Sequence, residues 1–187
     1  AIMNNSKNGH HEVMRAEVPG PVFGKVVAKL KNTAQILYII YLTMFVIFAV
    51  ILWLCGMPLF DSIITAMGGA GTGGFAVYND SIAHYNSDLI TYVVTVGTLL
   101  FGVNFNLYFY ILLRKIRFFF QDEELRTYLT IVAVSTGLII LNIFGMYHSL
   151  ADSFKYSFFE VSTIITTTGF GLTDITKWPL FSQYILL

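Results

Sequence analysis

Three uncharged apolar runs constrain this chain more than anything else in it. Thr33 to Cys55 reads TAQILYIIYLTMFVIFAVILWLC, about 23 residues without a charge. Leu89 to Leu113 is a second run of about 25, and Thr127 to Tyr147 a third of about 21. Each meets the roughly 20 residues that a helix needs to cross a bilayer core. A single run of this kind could be a buried core helix, but three of spanning length argue against that reading. Composition agrees. Only 12% of residues are charged, half the roughly 25% of a soluble domain. The fold class expected is therefore an all-α integral membrane protein. A soluble enzyme and a disordered chain are both disfavoured.

The basic residues set an orientation. Lys25, Lys29 and Lys31 precede the first run, and Arg114, Lys115, Arg117 and Arg126 lie between the second and third. By the positive-inside rule both segments are cytoplasmic. The first run then goes in to out, the second out to in, the third in to out. Eleven basic and eleven acidic residues sum to zero, which leaves no basic excess for nucleic acid. Split by this topology, nine basic residues and five acids fall inside, and two basic residues and six acids outside. The outer acids are Asp61, Asp80, Asp88, Asp152, Glu160 and Asp174, a set able to concentrate cations at an outer mouth.

Two segments between the runs are neither spans nor ordinary loops. Pro58 opens LFDSIITAMGGAGTGGFAVYND, and Ser153 opens FKYSFFEVSTIITTTGFGLTDI. Each starts with about ten residues fit for a helix too short to cross, turns into Gly or Thr, and ends in Gly-Phe. These are candidate re-entrant elements. They also repeat. A shift of 95 residues places Ser62 on Ser157, Thr72 on Thr167, Gly74 on Gly169 and Phe75 on Phe170. The unit is span, short helix, Gly/Thr loop, span. Each unit crosses twice, so successive units point the same way, as parallel repeats do.

Non-helical backbone at membrane depth persists only when buried in protein or lining a wet cavity. A Gly/Thr loop there offers carbonyl and hydroxyl oxygens, which replace the hydration shell of an alkali cation in selectivity filters. The short helix entering from outside would also aim its partly negative C-terminus at the membrane centre. A phosphate-binding reading of Gly68 to Gly74 fails, because no strand precedes the loop and Phe75 follows the glycines. A helix-packing glycine motif remains the competing reading of the first loop, and fits Thr166-Thr167-Thr168-Gly169 badly.

At these residues the chain resembles the TrkH family of potassium uptake proteins. The resemblance rests on Arg15-Ala16-Glu17-Val18-Pro19-Gly20-Pro21, Thr72-Gly73-Gly74-Phe75, Gly102-Val103-Asn104-Phe105, Asp122-Glu123-Glu124-Leu125-Arg126, Thr166-Thr167-Thr168-Gly169-Phe170 and Trp178-Pro179. It implies four channel-like units around a pore, of which this chain holds the second and most of the third. The third unit's closing helix begins at Leu180. By the same resemblance the chain divides into a cytoplasmic segment 1–32, a pore repeat 33–113 (span 33–55, pore helix and filter loop 58–76, span 89–113), a cytoplasmic loop 114–126, and an incomplete repeat 127–187 (span 127–147, pore helix and filter loop 153–171). The filter residues are Ala70, Gly71, Thr72, Gly73 and Gly74 with Ile165, Thr166, Thr167, Thr168 and Gly169. Gly71 and Ala76 depart from the family's usual hydroxyl residues, which leaves the carbonyls to carry coordination there. The implied function is potassium uptake across a bacterial inner membrane, with K+ as the transported ion and no cofactor. The implied partners are membrane lipid, a second copy in a homodimer, and a cytosolic nucleotide-binding regulatory subunit. The alternative is a non-conducting membrane subunit acting through helix contacts, which predicts the two loops to lie far apart.

Other residues carry less. His10-His11 lack a third ligand, and one cysteine, Cys55, excludes a disulfide framework. Asn104 and Asn106 are expected to hydrogen-bond between helices, and Asp122-Glu123-Glu124 to be a solvated inner loop. His84 and His148 are expected at the interface. No nucleophile-base pair is visible.

Overall fold

The computed structural model describes residues 23–114 and 116–187, and all of the regular structure in them is helical. The Arg15–Pro21 motif, the His10-His11 pair, Lys115 and most of the segment 1–32 lie outside the described residues. The chain divides into two compact units, residues 1–39 and 40–187. Helix α1 (Phe23–Leu54) belongs to the first as far as Ile39. The site lies wholly in the second.

From Ile40 onward α1 is apolar on every side. Phe48 and Leu52 are buried, while Val46, Ile47, Val50 and Trp53 are exposed. A helix apolar all round suits a membrane. It ends because Gly56 takes a left-handed φ of +95°, which lets the Met57 N–H close back on the Leu52 carbonyl at 3.2 Å. Pro58 then starts α2 (Leu59–Ala70), 12 residues and too short to cross.

Helix α6 (Glu123–Tyr147) is the second full-length span. Leu125, Val132, Thr136, Ile139 and Ile143 face inward, and Leu129, Ile131, Val134, Leu138 and Leu141 face out. His148, left-handed at φ 50°, ends it. Ser149 at once caps α7 (Leu150–Ile165), accepting from the Asp152 N–H. That cap starts the second short helix three residues before the predicted Ser153.

The predicted second span is not one straight helix. It resolves into α3 (Asp88–Phe101) and α4 (Phe105–Leu112), bent by 90°. The 14 residues of α3 rise about 21 Å, short of the roughly 30 Å hydrocarbon core. Asn104 causes the break: its side chain accepts from the Asn106 N–H at 3.0 Å and caps α4. At the bend, the carbonyls of Leu99 and Leu100 accept the N–H groups of Gly102 and Val103, and two tyrosines add a second donor to each. The Tyr128 hydroxyl donates to the Leu99 carbonyl at 3.1 Å, and Tyr108 to that of Leu100 at 2.6 Å. A short helix, α5 (Ile116–Gln121), follows α4, and α8 (Leu180–Leu186) closes the described chain.

The buried face of α3 carries Thr91, Thr95 and Thr98. Their hydroxyls donate back to the carbonyls of Ser87, Thr91 and Thr95 at 2.7–3.0 Å, so polar groups enter an apolar core already paired. Helix α3 packs against both short helices, α2 and α7, and α7 also lies along α6. Phe48, Leu52, Met57, Ala66, Ala70, Phe101, Phe159 and Phe170 share one core that joins the two repeats.

Candidate functional site

Each short helix runs into a loop, and the two loops have the same backbone. After α2, the N–H groups of Gly71, Thr72, Gly73 and Gly74 donate to the carbonyls of Met67, Gly69, Gly68 and Gly68. After α7, those of Thr166, Thr167, Thr168 and Gly169 donate to Ser162, Ile164, Thr163 and Thr163. A shift of 95 residues maps every donor and every acceptor of the first set onto the second. The dihedrals map as well: Thr72 and Thr167 are left-handed at φ 49° and 56°, and Gly74 and Gly169 at 62° and 79°. Left-handed residues alternating along a loop are what short-range sterics resist. Glycine at the second such position makes that turn inexpensive.

The result is a loop with its donors turned in and its acceptors left over. Among the described residues, no protein donor reaches the carbonyls of Gly71, Thr72, Gly73 and Gly74, or of Thr166, Thr167, Thr168 and Gly169. Unpaired carbonyls are costly away from water; chemically they are hard oxygen ligands suited to an alkali cation. Hydroxyls contribute less. Thr166 Oγ1 donates to the Ser162 carbonyl at 2.7 Å and sits 2.8 Å from Thr168 Oγ1, and both residues are buried. Of the residues read from sequence, Ala70 and Ile165 are the last residues of α2 and α7, and the other eight form the loops.

The loops touch. A Cβ built on Gly74 would overlap the Thr168 carbonyl oxygen and stand 3.0 Å from Gly169. Outside the loops, Ser81 Oγ accepts from the Gly171 N–H at 3.2 Å, and the Ile82 N–H donates to the Gly171 carbonyl at 3.1 Å. The bend between α3 and α4 reaches the second loop: a Cβ on Gly102 would stand 2.8 Å from Thr166 Cγ2 and 2.7 Å from the Tyr128 hydroxyl.

The outer acids also take part in local structure. Asp61 is buried and accepts from the Tyr85 hydroxyl at 2.9 Å. Glu160 is buried on α7, and its Oε1 accepts the N–H groups of Leu172 and Thr173 at 3.3 Å each. That pins the segment after the second loop to its own helix. Lys155 Nζ bridges Asp88 at 2.9 Å and Asp152 at 3.0 Å. Asp174 pairs with Lys177 at 3.4 Å and Asp80 with His84 at 3.4 Å. The Asp174 carboxylate also accepts from the Thr176 hydroxyl and N–H, which holds it below the usual carboxylate range. So each of the six acids has a local partner, while the side chains of Asp88 and Asp80 remain 73% and 59% exposed. The inner acids lie at the surface as expected, with Glu123 and Glu124 exposed, and two of them also have local partners. Asp122 caps α6, accepting from the Leu125 N–H at 2.9 Å, and Glu124 accepts from Asn104 Nδ2 at 3.0 Å. Among the described residues, no cluster of three or more His, Cys, Asp and Glu gathers.

Sequence reasoning missed the roles of Glu160, Lys155, Ser81 and Tyr128. Each acts on a partner distant in sequence or on bare backbone, for which no motif exists.

Paired short helices, each followed by the same left-handed loop and held by helices apolar enough to cross a bilayer, define an all-helical integral membrane protein built of repeated units. The family model for TrkH, described as a cation transport protein, matches residues 1–187, and the chain belongs to that family. It is 32% identical over 185 residues to the Trk system potassium uptake protein TrkH of Salmonella typhimurium, covering 96% of this chain and 38% of that protein. It is 33% identical over 185 residues to the Trk system potassium uptake protein TrkG of Escherichia coli K12, with the same coverage. The crystal structure of the potassium transporter TrkH from Vibrio parahaemolyticus superposes with a TM-score of 0.80 at 29% identity, over 84% of this chain and 35% of that one. The chain thus spans somewhat over a third of the length of these relatives.

Proposed function

We propose that this chain forms part of a potassium-conducting pore, in which dehydrated K+ passes between the carbonyl oxygens of Gly71–Gly74 and Thr166–Gly169. The observation that carries the reading is the contact of two loops of identical backbone, each with its carbonyls unpaired. A scaffold acting only through helix contacts predicts loops far apart, packed separately against neighbouring helices. Two loops alone do not encircle an ion, so conduction belongs to the longer polypeptide or assembly of which such units are part.

Family membership supports the remaining assignments. The ion is K+, the membrane is the bacterial inner membrane, and the chain acts as a transporter and not an enzyme. A homodimer and a cytosolic nucleotide-binding regulator complete the proposal, with docking of the regulator at the inner acids Asp122, Glu123 and Glu124.

The test is complementation of a potassium-uptake-deficient strain by the full-length protein carrying Gly74→Ser or Gly169→Ser. Reduced preference for K+ over Na+ is expected in both. Full rescue with unchanged ion preference in both variants would sink the filter assignment.

A further inference from the structure

Each short helix carries a buried carboxylate, but at a different place. By the 95-residue shift Glu160 of α7 falls on Thr65 of α2. The buried acid of α2 is Asp61, about one helical turn closer to the start of its helix. There the partly positive end of the helix favours an anion. Asp61 Oδ2 accepts from the Tyr85 hydroxyl at 2.9 Å. The Tyr85 ring is also packed edge-on by Tyr78 and His84. Tyr85 closes a short 3-10 helix, Ser81–Tyr85. The first two residues of that helix bond to the other repeat. Ser81 Oγ accepts from the Gly171 N–H, and the Ile82 N–H donates to the Gly171 carbonyl.

Gly171 stands just past Gly169, so both of its backbone groups are fixed at the exit of the second loop. The hold comes at a cost. Ser81 is left-handed at φ 53°, about 1–2 kcal/mol of strain for a residue with a Cβ. Such strain persists where the surroundings over-determine the backbone. Here they do. Ile82 is 1% exposed and shares a core with Phe170, and Tyr85 and Leu172 pack against that same core. The segment after the second loop is therefore gripped twice. Glu160 holds Leu172 and Thr173 directly. Asp61 holds Gly171 at one remove, through Tyr85 and the 3-10 helix.

We infer that Asp61 and Tyr85 are positioning residues for the ion preference of the second loop: their hydrogen bond braces the 3-10 helix whose Ser81 and Ile82 fix Gly171, and so holds the Thr166–Gly169 carbonyls in place. The inference rests on the pore reading of those carbonyls. Carbonyls that replace a hydration shell select by cavity size or by the number and field strength of the oxygens, and slack in the brace alters either. Neither Asp61 nor Tyr85 has to touch the ion.

The experiment uses the full-length protein in cells lacking their own potassium uptake. Initial rates of K+ and Na+ entry and abundance in the membrane are measured for each variant. Tyr85→Phe and Asp61→Ala are each expected to lower the ratio of K+ to Na+ entry by about two- to tenfold, the range that one hydrogen bond is worth. The double variant should lower it no further than the worse single one. Asp61→Asn keeps an oxygen that accepts from Tyr85 and should keep most of the ratio. Ser81→Gly removes the Oγ acceptor at a φ that glycine adopts freely. It should lower the ratio without adding strain, and it carries the test with Tyr85→Phe if Asp61→Ala does not reach the membrane. A purely structural role predicts lower abundance with the ratio unchanged. That result in Tyr85→Phe and Ser81→Gly overturns the inference, and so do additive losses in the double variant. Gly74→Ser and Gly169→Ser are assayed alongside. A ratio altered by Gly169→Ser but by none of the brace variants removes the brace alone. A ratio unaltered by both glycine variants removes the pore reading, and the brace with it.

Discussion

Gly74 lies so close to Thr168 that a methyl group on its Cα would overlap the Thr168 carbonyl oxygen. The equivalent Gly169 has open space where its side chain would stand, with nothing within 4 Å. Both have positive φ, so alanine at either costs about 1–2 kcal/mol in backbone strain. Only at Gly74 does steric overlap with a second loop add to it. Gly74→Ala should therefore impair uptake and stability of the full-length protein more than Gly169→Ala. Equal effects, measured by K+ uptake and thermal unfolding in detergent, would mean that the contact between the loops is not as described.

Glu160 holds the segment after the second loop through two backbone N–H groups. Glu160→Ala leaves two part-buried donors unpaired, a penalty of about 1 kcal/mol or more. Glu160→Gln keeps an acceptor of the same shape and should retain most of the stability. The expected order in melting temperature is wild type, then Gln, then Ala, with ion preference relaxed most in Ala. A Gln variant as damaged as Ala would show that shape and hydrogen bonding are not what Glu160 supplies.

Lys155 joins the first turns of α3 and α7 by bridging Asp88 and Asp152. Its side chain is only 14% exposed, whereas that of Asp88 is 73% exposed. Removing the cation leaves two acids facing each other without their counter-ion. Lys155→Met should cost on the order of 1 kcal/mol and Asp88→Asn less, since one acid still holds the lysine. The pair of variants and their double mutant, compared by thermal unfolding at low and high salt, checks this. Additive losses would exclude the bridge.

Gly102 sits where the α3–α4 bend meets both Tyr128 and Thr166. Gly102→Ala should reduce uptake by displacing the second loop. Tyr128→Phe removes the hydroxyl 2.7 Å from the new methyl but not the Thr166 methyl at 2.8 Å, so it should restore activity in part. The cycle is read as a departure from additivity. An additive result would disconnect the bend from the loop.

Much of the fold was legible because it rests on local pattern. Uninterrupted apolar runs gave α1 and α6, and the 95-residue shift gave the paired loops and even their glycines. The bend was not legible as such. Leu89 to Leu113 carries no charge, and its break shows only in the structure, where Asn104 caps the second helix and Tyr108 and Tyr128 donate to the carbonyls at the end of the first.

The sequence by itself determined that this is a membrane protein of repeated span, short helix and glycine-turned loop, since span length, charge placement and backbone freedom are properties of consecutive residues. Only the tertiary structure decided what identical residues do in each repeat. Phe75 is exposed and Phe170 buried; Gly74 is pressed against Thr168 and Gly169 is open; among the outer acids, Asp88 and Asp152 hold Lys155 and Glu160 anchors backbone. The physical reason is that burial and pairing are set by which unit comes before and after in space, and a repeat cannot record its neighbours in its own letters.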